Sequence, residues 1–74
     1  MALNTDKIDD AAMALLYLTL HGGHRAWKGF DFDVLGRLYD KGMIDNPVGK
    51  TKSVAFTPEG LARARALFET MFKQ

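Results

Sequence analysis

Cysteine is absent from this chain, which excludes disulfides, thiolate metal sites and thiol nucleophiles. Proline is scarce, with only Pro47 and Pro58, so long stretches are free to be helical. Neither sign of charge dominates. Ten basic and nine acidic side chains leave a net charge of +1, well short of the balance of a strongly basic nucleic-acid reader. The longest apolar block, Ala11 to Leu20, is about half of what a bilayer crossing needs. The opening Met-Ala-Leu-Asn-Thr-Asp-Lys lacks the basic and then apolar layout of a signal peptide, so no membrane role and a cytoplasmic location are expected.

What is present is a core in a small frame. The chain has 74 residues, 47% of them apolar, enough for one folded domain over 1–74 but near the lower size limit for a self-sufficient core. Self-association is then a natural way to bury more surface. Charge is uneven: residues 1–22 carry Lys7 against Asp6, Asp9 and Asp10, a net −2, and residues 23–74 carry nine basic and six acidic groups, a net +3.

The organising stretch runs from Asp33 to Leu61. It reads as a helix that stops at Gly42, a strand at Met43–Asp45, a turn, a return strand at Ser53–Phe56, and a helix that starts at a Thr57 cap. Pro58 and Glu59 suit the first turn of that last helix. Its inward stripe is expected from Leu61, Ala64, Leu67, Phe68, Met71 and Phe72. The preceding helix, from an Asp31 cap to Lys41, should bury Val34, Leu35, Leu38 and Tyr39.

A first helix is expected from about Asp6 to Leu20, capped by Asn4 or Thr5. Ile8, Ala11, Ala12, Leu15 and Leu18 share one face and are the expected core stripe. Met13, Leu16, Tyr17 and Leu20 form a second apolar face, and a helix apolar all round must be buried all round. Those four residues are therefore the candidate homodimer interface. His21-Gly22-Gly23-His24 opens a connector in which Trp27 and Phe30 are expected to plug the end of the core.

Leu38-Tyr-Asp-Lys-Gly-Met-Ile followed by Val54-Ala-Phe-Thr-Pro-Glu-Gly-Leu resembles the wing region of MarR- and PadR-type winged-helix proteins. The whole chain is similar to a family of small bacterial proteins grouped only as a domain of unknown function. Ala14-Leu-Leu-Tyr-Leu-Thr-Leu-His, Ala26-Trp-Lys-Gly-Phe-Asp and Asp45-Asn-Pro-Val-Gly-Lys-Thr-Lys-Ser-Val carry that second resemblance. It implies no established activity.

Chemistry is sparse. His21 and His24 supply fewer than the three protein ligands zinc normally takes, Ser53 lacks nucleophile-elbow glycines, and Gly49-Lys50-Thr51 lacks the earlier glycine of a phosphate-binding loop. No catalytic residue, metal site or cofactor is expected, and the protein is read as non-enzymatic. Nucleic acid remains the alternative partner, through Lys50 and Lys52 at the turn with Arg25, Lys28 and Arg37 extending the patch. Asp33 and Asp40 on the outer face of the second helix oppose it. The expectation is a winged-helix-like α+β domain, with three main helices and a two-stranded antiparallel hairpin in the order α-α-β-β-α. It would act as a homodimeric protein-interaction or accessory protein with an unknown protein partner. The alternative is a DNA-binding transcriptional regulator using the 43–57 wing and helix 31–41.

Overall fold

The computed structural model describes residues 3–49 and 52–73. It contains three helices, α1 (Thr5–Leu18), α2 (Phe32–Asp40) and α3 (Pro58–Phe72), and two strands, β1 (Arg25–Trp27) and β2 (Ser53–Ala55). This is the expected α+β set of three helices with a two-stranded antiparallel sheet.

The helix boundaries follow from local chemistry. Asn4 caps α1 by accepting the Lys7 amide, Asp31 caps α2 by accepting the Asp33 amide, and Thr57 caps α3 by accepting the Gly60 amide. Helix α2 ends as expected at Gly42, whose φ is +76°. The Gly42 amide bonds the Tyr39 carbonyl and the Met43 amide bonds the Leu38 carbonyl, the paired closure that satisfies a helix's last acceptors.

The chain then meets the start of α3 at a tight crossing. Thr57 donates its amide to the Met43 carbonyl and its hydroxyl to the Gly42 carbonyl. Gly60 is buried directly against the Met43 backbone, so a Cβ there would overlap the Met43 carbonyl. The glycine is needed for close approach, not for an unusual φ.

The sheet draws on the connector. Strand β2 pairs with β1 in the register Arg25↔Ala55, Ala26↔Val54 and Trp27↔Ser53. The expected pairing of 43–45 with the return strand is present as a single bridge, Ile44↔Phe56, supported by the Asp45 amide on the Ala55 carbonyl. The stretch from 53 to 57 is thus flanked on both edges, which leaves few of its backbone groups unpaired. Gly22 and Gly23, both at positive φ, close the turn that returns the chain from α1 into β1, with His21 bridged to Arg25.

The core lies where α1 crosses α3 and α2, with Ile44, Val54 and Phe56 sealing it from the ribbon side. Tyr39, expected inside, is exposed because α2 packs only through Val34, Leu35 and Leu38. Met71 and Phe72 are exposed as well, since α3 runs past the end of what α1 can cover.

Gly60→Ala is expected to cost about 2 kcal/mol, the scale of overpacking against rigid backbone, and to lower Tm by on the order of 10 °C. Gly36→Ala meets open space on α2 and should instead stabilise by about 0.5 kcal/mol. Thermal melts of the two variants beside the parent check both signs.

Candidate interaction surfaces

The two faces of α1 are the reverse of the sequence expectation. Met13 and Leu16, expected to meet a second copy, are 1% and 0% exposed inside a single chain. Tyr17 and Leu20 are partly buried and pack against the same core, Tyr17 with its ring 5.3 Å from that of Phe68 on α3. No partner can reach Met13 or Leu16 without unfolding the protomer. The expected core stripe instead faces outward: Ile8, Leu15 and Leu18 are exposed, Leu18 to 65%, and only Ala12 of that set is in the core.

A buried carboxylate accounts for the rotation. Asp9 lies on the stripe with Met13, Leu16 and Leu20, at helical spacing, and is 1% exposed. Arg37 on α2 grips it with both ends of the guanidinium. Its Nε donates to Oδ1 and Oδ2 at 3.0 and 2.9 Å, and its Nη2 donates to Oδ1 at 2.8 Å. Lys41 Nζ donates to Asp9 Oδ2 at 2.9 Å and to Asp6 Oδ1 at 3.1 Å.

The Arg37 hydrogen bonds hold the Asp9 carboxyl below the ordinary carboxylate value, outweighing burial, with Lys41 adding to the effect. Arg37 and Lys41 are both pushed up, chiefly by their bonds to Asp9. In the sequence, Asp9 counts only toward the charge of residues 1–22, and Arg37 is a candidate partner contact. The signal available was a carboxylate in register with three large apolar residues.

Two of the remaining candidate cations, Arg25 and Lys28, are also drawn inward. Arg25 Nε donates to Ser53 Oγ at 3.0 Å and its Nη2 to the Ser53 carbonyl at 3.2 Å, across the β1–β2 ladder. Lys28 Nζ donates to the Pro47 carbonyl at 2.7 Å and the Gly49 carbonyl at 3.2 Å. That tie draws the 46–49 loop back onto the body. Lys52 is exposed, and Lys50 lies outside the described residues. Arg25, Lys28 and Lys52 come near one another along the ribbon, because the Lys28 amide bonds the Lys52 carbonyl. Arg37 is apart from them, on the α1–α2 seam.

Trp27 is 54% exposed and does not plug the core. Strand alternation decides this: Ala26 points inward, so its neighbours Arg25 and Trp27 point out. The indole stacks on His21 with ring centroids 4.6 Å apart, and the Trp27 amide bonds Thr19 Oγ1 at the end of α1. Phe30 takes the expected role, packing partly buried against the core. The described residues contain no group of three or more potential metal-binding side chains, and no helix among them is long and apolar enough to cross a membrane.

Comparisons with known proteins agree on one lineage. The family model described as "Domain of unknown function (DUF6429)" matches residues 4–74. An uncharacterised protein from Sinorhizobium fredii, y4hR, is 51% identical over 72 residues, covering 97% of each chain. No solved structure matches.

Asp9→Ala is expected to destabilise by about 2 kcal/mol. That is below the roughly 3–5 kcal/mol of a fully buried broken pair, because Arg37 and Lys41 are each about a third exposed and can rehydrate. Because its folded value is depressed, the Asp9 contribution is present above the unfolded carboxylate value of about 3.9 and is lost as pH falls below it. Those of Arg37 and Lys41, whose values are raised, are lost only in strong alkali. Urea melts of parent and variant from neutrality into acid should therefore converge at low pH.

Proposed function

The chain belongs to the DUF6429 family, and from that premise we propose that it is a non-enzymatic bacterial binding module of the cytoplasm that acts as a homodimer. Its self-contact face is the outer stripe of α1. The observation that carries the reading is the exposure of Leu15 and Leu18 on a helix whose opposite side is already core. Ile8, Ala11, Leu15 and Leu18 recur at intervals of three, four and three residues, the spacing of a helix-packing seam.

The stripe is self-complementary. In an antiparallel pair about a twofold axis, a register that sets Ile8 opposite Leu18 of a second copy also sets Ala11 opposite Leu15. Small then meets large at the centre, and no charged side chain falls on the seam itself. Leu3, just before the Asn4 cap, occupies the position from which a residue can staple onto Ile8. Trp27 beside the last turn of α1 extends the apolar surface at the other end. A pair of this kind leaves the rest of each protomer free for a further protein partner.

The nucleic-acid alternative draws less support. Arg37 is engaged by Asp9, Arg25 by Ser53 and Lys28 by backbone carbonyls. Phosphate contact would compete with each of those bonds.

Sedimentation equilibrium of the parent at high micromolar concentration should give a dimer, with a Tm that rises with concentration. Leu15→Glu, a change at an exposed position, should run as a folded monomer with an unaltered helical spectrum. A parent that stays monomeric throughout that range rejects the dimer.

A further inference from the structure

A second apolar surface has a chemical character of its own. A cleft of about 370 Å³ opens between the connector, the first turn of α2 and the 46–49 loop. Phe30, Phe32, Leu35 and Val48 form its walls. Phe32 and Val48 are exposed, Val48 to 70%, which is a large apolar area for a loop tip to leave in water. The size lies at the lower end of small-molecule sites.

Among the described residues, one cation lines this cleft. Lys28 lines it, and its ammonium donates to the Pro47 and Gly49 carbonyls. An ammonium has three donors, so one remains after those two bonds. Among the described residues no carboxylate pairs with Lys28. Asp31, the nearest acid along the chain, uses its carboxylate to cap α2. The charge is therefore held in place by neutral carbonyls, without a counter-ion among the described residues.

We infer that this cleft binds a small apolar monocarboxylate. The carboxylate accepts the free Lys28 donor, and the hydrocarbon portion lies among Phe30, Phe32, Leu35 and Val48. An apolar cation would meet an unpaired ammonium and is excluded. A neutral ligand of the same length gains the walls but not the charge.

The test is a titration of the full chain with sodium octanoate and, separately, octanamide, followed by amide chemical shifts. Octanoate is expected to shift residues 28–35 and 46–49 and to bind at least tenfold more tightly than octanamide. Lys28→Met should bring octanoate down to the octanamide level, and Lys28→Arg should retain the preference. Because Lys28 also ties the loop, Val48→Glu supplies a second variant at an exposed position. It should abolish octanoate binding by repulsion while leaving Tm within a few degrees of the parent. Equal affinity for the two ligands, shifts centred on residues 8–18 instead, or an undiminished preference in Lys28→Met or Val48→Glu would each overturn the assignment.

Discussion

The carboxylate of Asp9, enclosed by the Arg37 guanidinium and the Lys41 ammonium, decides how the central helix of this protein is turned. Helix α1 is apolar on both sides, so hydrophobic burial alone does not choose between them. Turning it to bury Ile8, Leu15 and Leu18 would expose Met13 and Leu16 and leave Arg37 and Lys41 without their shared partner. A buried charge pair contributes little net stability against a well-packed apolar alternative, but it discriminates sharply between two packings of similar apolar content. Here it acts as the register pin of the α1–α2 contact.

Everything else arranges itself around that orientation. With Met13 and Leu16 inside, the Tyr17 ring reaches Phe68, and Phe68 in turn meets Phe72 edge-on. The start of α3 is brought against the end of α2 through Thr57 and Gly60, where backbone touches backbone and only hydrogen fits. The ribbon closes the remaining side with Ala26, Ile44, Val54 and Phe56. Among the apolar residues left over, two groups form surfaces, the outer stripe of α1 and the Lys28 cleft. The first is uncharged and self-matching. The second carries the fixed Lys28 cation.

Structural hydrogen bonds also explain why the basic residues do not form one patch in this chain. Arg25, Lys28 and Arg37 look like a patch when they are placed on separate elements by eye. In the fold each has a structural acceptor, a serine, a pair of loop carbonyls and an aspartate. Lys28 ties the 46–49 loop back to the body.

The sequence by itself determined the pieces that local chemistry specifies: the caps at Asn4, Asp31 and Thr57, the glycine stop at Gly42, and the existence of three helices. Those features depend on groups within about four residues of each other, so a linear reading sees both partners at once. Only the tertiary structure decided which face of α1 is core, that Ala26 and not Trp27 enters the sheet's inner side, and what Arg37 and Lys28 hold. These choices join residues 19 or more positions apart. Apolar periodicity identifies a face that can be buried, but the partner that occupies it is set by the meeting of distant segments.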